Sequence, residues 1–375
     1  MNASPKFSNS HIEAPIRFSP GMERPVVDEA ATITGLIATM RYIAEKTFAD
    51  GGHAIRPVHA KSHGILEGYL EVDAGLPSEL AQGLFAKPGR YPLVMRFSTI
   101  PGDILDDSVS VPRGLAIKVI GVEGDRLDGS EQDVTQDFLL INGPAFGSTT
   151  PKAFLSVVRL LARTTGRVQR LKKLLSATMR PLQRIIVAIT GRANVTVATL
   201  GGHPETHILG ETFYAQAALL FGDFIAKIAV APISAELTHL KQAPLNVNRA
   251  PNGLREAVVA FFKKNGGEWE VRAQLCTDLV LMPIENAAVV WPEDKSPFRP
   301  VARIKVKPQV AWGEARSSCV DDGMSFSPWH GLAAHRPLGG IMRSRRQVYE
   351  MAKRFRAEKN GRIIEEPREM VTFGD

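Results

Sequence analysis

The sequence predicts an α+β fold, on three observations. Short segments of strand character, bounded by Gly, Pro and Asp, follow one amphipathic helical stretch. A second helical stretch interrupts them, strands return, and a last helix follows. Strands and helices are therefore grouped, not alternated, which argues against a wound parallel sheet. No shift of composition marks a boundary along the 375 residues, so one domain, 1–375, is expected.

The elements are expected as follows. Residues 1–27 hold four prolines and read as an irregular arm. Residues 28–48 have helical apolar spacing behind Asp28, a suitable N-cap. Strands are expected at 63–72, 91–99, 113–121 and 135–142, and several strands at this spacing build an antiparallel barrel or sandwich. Residues 151–190 are helical and basic, with breaks at Gly166 and Pro181. Strand character returns at 207–219 and 223–231, a helix is expected at 251–265, and strands at 268–281 and 301–309. The last helix should run from Gly340 to about Ala357.

Composition narrows the function classes. Apolar residues make up 44% and charged residues 23%, enough for a sizeable core. No run of 18 apolar residues suits a spanning helix, and the amino terminus lacks the apolar block of a signal peptide. Two cysteines, Cys276 and Cys319, are too few for a disulfide framework or a thiolate cage, so a cytoplasmic location is expected. The formal charge of +7 has one source. Positions 138–204 contain no Asp or Glu but ten Lys and Arg, and the remaining chain has more acidic than basic residues.

Three motifs carry chemistry. In RRQVY, Arg345 and Tyr349 are four apart on a helix, so guanidinium and phenol share a face. A fixed cation favours the phenolate of a side chain whose free pKa is about 10, and ferric iron would favour it further. Such pairs are also common on exposed helices. In IRPVHAKSHG, His59 follows Pro57 and Val58; a histidine over an open metal position can move a proton between the oxygens of a peroxide. In MRFSTIPGD, Arg96 precedes Ser98 at a strand end, and an arginine fork suits a carboxylate such as a haem propionate.

IRPVHAK, GYLEV, YPLVMRFST, PRGLAIKV and the terminal Arg-x-x-x-Tyr stand in the order and approximate spacing of the haem catalases. Over roughly residues 50–356 the chain resembles that superfamily, and the segment 328–356 resembles its short, catalase-related peroxidase branch. The resemblance implies a catalase-like eight-stranded antiparallel β-barrel with appended α-helices, and a buried b-type haem (heme b, ferric iron). It implies His59 as distal catalytic histidine, Val58 on the distal haem face, and Ser98 orienting the His59 ring. It implies Tyr349 as proximal iron ligand, Arg345 as support for its ionisation, and Arg56, Arg96 and Arg356 around the propionates. Phe146 in GPAFG would stack over the haem, and His207 matches a histidine near the substrate route.

The departures from the family matter too. The family's distal asparagine aligns near Val134, leaving only Asn142 some eight residues on, in a different strand phase. Its loss favours peroxidase or organic-hydroperoxide chemistry over hydrogen peroxide dismutation. About 15 residues follow the last helix, so neither a flavodoxin-like domain nor NADPH is expected.

The expected function is that of a haem-dependent peroxidase or catalase-like enzyme. It would cleave the O–O bond of hydrogen peroxide or of an organic, fatty-acid hydroperoxide. The alternative is a haem-binding or sensing protein with little turnover. The expected partner is a small-molecule peroxide or lipid hydroperoxide; nucleic acid is not expected, since no aromatic interleaving accompanies the basic residues. The basic insertion 151–190 is open to three readings: a solvated face, a peripheral membrane contact, or an attractor of a fatty-acid carboxylate. The Pro-rich arm could serve a homo-oligomer by arm exchange.

Overall fold

The computed structural model describes residues 14–165, 169–190 and 202–373. One sheet organises them. Its strands are β1 (Ser62–Val72), β2 (Gly89–Thr99), β3 (Arg113–Ile120), β4 (Thr135–Ile141), β5 (Phe213–Tyr214), β6 (Leu219–Phe221), β7 (Phe224–Pro232), β8 (Gly267–Leu275) and β9 (Arg299–Val306). Every strand pair is antiparallel, in the order β5-β4-β3-β2-β1-β9-β8-β7-β6. Two short pairings close the ring: Ile141 faces Tyr214, and Phe213 faces Val230. Eight strands thus form the expected barrel, and β6 is a hairpin partner of β7 outside the ring.

Alternation decides which side chains fill it. Met95 and Phe97, Leu115 and Ile117, Phe138 and Leu140, Ile228 and Val230, and Trp269 and Val271 point inward and form one core. Their neighbours Arg96, Ser98, Gly114 and Ile141 stand on the outer face of β2–β4. The candidate site lies on that outer face.

The longer helices are α1 (Glu29–Gly51), α2 (Pro151–Thr164), α3 (Gln169–Thr190), α4 (Gly253–Phe262) and α5 (Gly340–Asn360). Leu36, Met40 and Ile43 of α1 pack with Leu155, Val158 and Ala162 of α2 and Val348 of α5. Glu23 and Glu285 accept from the Gly339 and Gly340 amides, which satisfies the start of α5. Arg343 then ties Glu23, Glu29 and Glu285 together. Gly339 has φ +85°, and a Cβ there would meet the Ile284 carbonyl at 2.5 Å, so this entry needs glycine.

Three expectations change. Pro181 does not break α3, which runs through it; proline removes one ladder hydrogen bond but has a helical φ. The strand expected at 207–219 is mostly irregular: a 3₁₀ turn, Ile208–Gly210, precedes the two-residue β5. Asp28 sits at the N-cap of α1, but its carboxylate binds Lys152, not the helix amides. The expected break at Gly166 lies outside the described residues.

Candidate active site

His59 is the natural starting point. It sits in the loop before β1 with φ +55°, a conformation that costs a non-glycine residue energy and is often kept at functional sites. Its amide donates to the Ile100 carbonyl at 2.8 Å, and its Nδ1 lies 3.0 Å from Ser98 Oγ. A Cβ on Gly114 would come within 2.6 Å of the imidazole, so the ring rests directly on that glycine. Burial, then the charges of Arg96, Arg345 and Arg56, pull the imidazole down to about 3. His59 is therefore neutral at pH 7. With Nδ1–H donating to Ser98, Nε2 is left as an acceptor.

Directly opposed residues in a sheet point to the same face. Ser98 faces Gly114 and Gly114 faces Ile141, so Ile141 shares the face on which His59 lies. Asn142, the next residue, is engaged elsewhere: its Oδ1 accepts from the Arg113 amide and its Nδ2 donates to His203 Nε2 at 2.7 Å. Val134 lies just before β4, at the far end of the strand from Ile141. Ile141 thus lies on the same outer face as the Ser98–Gly114 pair on which His59 rests, whereas Val134 lies at the other end of β4.

Arg345 Nη2 donates to Tyr349 Oη at 2.6 Å on α5. The Arg345 charge also acts on His59, so the structure brings the two halves of the expected site within electrostatic reach. Val58 packs in the cluster that contains Val348, the residue before Tyr349. Phe146 stands apart from His59 among the described contacts: it meets Phe154 edge-on at 5.0 Å and packs with Ile341 and Met342. His207 is buried and its Nδ1 accepts from the Leu209 amide, capping the 3₁₀ turn; burial and then Arg113 draw it down to about 4.

The three arginines converge, and a residue with no motif signal draws them together. Ser318–Asp322 forms a π-helical turn, a type of irregularity that recurs at functional sites. Asp321 Oδ1 accepts from Arg96 at 2.5 Å and from Arg56 at 3.1 Å, while Oδ2 accepts from Ser62 and Ser317. The Asp321 carbonyl takes Arg56 at 2.7 Å and Arg356 at 2.6 Å. Burial pushes the Asp321 carboxyl up, but Arg96, Arg56 and the two hydroxyls prevail and hold it at about 2. Arg356 is drawn down to about 10 by burial and then by Arg96. Three guanidinium groups thus converge on Asp321, two at its carboxylate and one at its carbonyl, and Asp322 turns to His53 at 2.9 Å. The cluster keeps a positive surplus, suited to an anionic group.

These residues fit a haem on the chemistry of the donor set. A phenol oxygen already accepts from arginine, a neutral imidazole faces the same region, and the guanidinium cluster has charge to spare. Gly114 and Ala116 stand opposite Ser98 and Arg96 on β3, and the missing side chain at Gly114 makes the room that the His59 ring takes. Sequence reasoning missed Asp321 and Ile141. Asp321 lies in SCVDD, which has no motif, and Ile141 is identifiable only through strand register.

No family model matches the chain, and no curated protein matches it. Solved structures do. A fungal catalase and catalase A from Saccharomyces cerevisiae each superpose with a TM-score of 0.58 at 18% identity, covering 84% and 83% of this chain. A bacterial catalase superposes with a TM-score of 0.55 at 15% identity, covering 94% of this chain. The chain spans 62%, 63% and 67% of those three proteins. At this identity the likeness shows the fold: the barrel with its helices is a catalase fold.

Proposed function

We propose that the chain binds haem b and cleaves the O–O bond of a peroxide, with an organic hydroperoxide preferred over hydrogen peroxide. The observation that carries this reading is the neutral His59 imidazole, held by Ser98 and acted on by the charge of Arg345, which itself binds the Tyr349 phenol. Tyr349 would hold the iron through its phenolate, and Arg56, Arg96 and Arg356 would meet the propionates. When bound, the haem would supply a redox centre able to give electrons to the O–O bond as that bond breaks.

The protein's own part is acid–base work. His59 Nε2 accepts the hydroperoxide proton and returns it to the departing oxygen, so that water or an alcohol leaves. Burial and the neighbouring arginines keep the imidazole neutral, so Nε2 has a lone pair with which to take the proton. Arg345 Nη2 donates to the Tyr349 phenol oxygen and so fixes where that oxygen lies. In this reading Ile141 and Val58 would offer hydrocarbon beside His59, which suits an alkyl chain better than a second small polar molecule. A haem-binding or sensing protein with little turnover is the second reading; it is favoured by Ile141, which offers a peroxide no hydrogen bond.

Haem titration of the full chain tests the proposal. Wild-type protein should give a high-spin ferric spectrum, and Tyr349→Phe should change that spectrum markedly. His59→Ala should keep the spectrum and lose about 10²- to 10⁴-fold in hydroperoxide cleavage. Normal turnover by His59→Ala would remove the assigned base. Haem binding without turnover in the wild type would select the second reading.

A further inference from the structure

Among the described side chains of helix α3, a polar stripe is buried and an aliphatic one is exposed. Ser176 and Gln183, seven apart on one stripe, are 0% and 2% exposed. Leu182, Ile185 and Ile189 form another stripe at spacings of three and four and are 41%, 56% and 79% exposed. Ile185 is nine residues beyond Ser176, half a turn around the helix at 100° per residue. A helix serving only a soluble core would place these faces the other way. The inward contacts are polar as well: Ser176 Oγ accepts from the Ser110 amide at 3.1 Å, and Arg180 pairs with Glu205.

The sequence of this segment carries charge of one sign. No Asp or Glu occurs between 138 and 204, where ten Lys and Arg lie. On α2, Val157 and Leu160 are exposed beside the exposed Arg159 and Arg163. Exposed aliphatic side chains in a segment whose own sequence holds cations and no acid match the interface of an anionic bilayer, where hydrocarbon enters the acyl boundary and cations meet headgroups. A second copy of the chain fits less well, since an isologous contact would set this positive face against itself.

We propose that the outward face of α3, with the exposed side of α2, docks on an anionic lipid surface. The contact is peripheral, because no helix among the described residues is long and apolar enough to cross a membrane. Its position has a consequence. Ser110, which α3 holds, lies in the connection from β2 to β3, and that connection also binds the His59 and Ala60 amides through Ile100 and Pro101. Docking would therefore hold the bilayer close to the loop that carries His59. The proposal does not depend on haem or on turnover.

Vesicle co-sedimentation of the full chain tests it. Vesicles of phosphatidylcholine alone are compared with vesicles holding about 30% phosphatidylserine, at about 0.1 M and 0.5 M salt. Binding should require phosphatidylserine, weaken at high salt, and fall roughly tenfold in the exposed-site double variant Ile185→Glu/Ile189→Glu. Circular dichroism checks that this variant folds, and the milder Ile185→Ser/Ile189→Ser pair should show a smaller loss in the same direction. No binding to either vesicle overturns the proposal, as does equal binding by wild type and both folded variants. Concentration-dependent dimerisation without vesicles, abolished by the same variants, would assign the face to a second copy and also overturn it.

Discussion

Ile141 shares the outer face of the Ser98–Gly114 pair, and in the proposed reaction it would offer a peroxide no hydrogen bond. Its face follows from register, since Ser98, Gly114 and Ile141 are directly opposed across β2, β3 and β4. An apolar contact of this size discriminates between substrates by about 10- to 200-fold. Ile141→Asn in the haem-loaded protein is therefore expected to raise oxygen release from hydrogen peroxide and lower consumption of a fatty-acid hydroperoxide. Paired steady-state assays give the ratio; an unchanged ratio would mean that Ile141 does not border the substrate. At this scale the sequence displayed much of the chemistry. Arg345–Tyr349 is legible because helical spacing by itself puts the two side chains on one face, and the structure pairs them at 2.6 Å. His59 and Ser98 are 39 residues apart, and the resemblance, not local spacing, linked them.

The π-helical turn Ser318–Asp322 acts at the scale of an element. Its backbone and carboxylate gather arginines from the loop before β1, from β2 and from α5. Removing the carboxylate while leaving three buried cations should be costly, about 3–5 kcal/mol by analogy with other broken buried pairs. Asp321→Ala is expected to lower the stability found by urea unfolding by that amount, with the dependence on urea unchanged; a loss below about 1 kcal/mol would show that the turn does not need its charge. Elements defined by their own residues were readable in advance. The ranges of α1, α5 and β1–β4 follow from periodicity and from the glycines and prolines beside them. The stretch 207–219 was not, because apolar residues there serve a 3₁₀ turn and a two-residue closure whose need arises only from β4 and β7.

Across the whole molecule, buried neutral histidines set a response to acid. His59, His63, His203, His207, His330 and His335 all lie below the ordinary imidazole value, in each case first because burial penalises the cation. In the unfolded chain the same groups take up protons near pH 6.5. Between about pH 6.5 and pH 4 the unfolded state therefore binds more protons than the folded one, and these histidines' contribution to stability falls as pH falls. The urea midpoint is expected to drop steadily from about pH 7 to pH 5. Equal midpoints at the two values would show that the imidazoles can become charged within the fold.

The sequence by itself determined the strand and helix content, the Arg345–Tyr349 face and the single-sign charge of 138–204, because each depends on spacing or composition within one segment. Tertiary structure alone decided ring closure through β5, the face that Ile141 shares with Ser98 and Gly114, the meeting of three arginines at Asp321 and the outward turn of the apolar side of α3. Those outcomes depend on register and on the order in which distant segments pack, and a one-residue change of register would have sent every side chain of a strand to its other face.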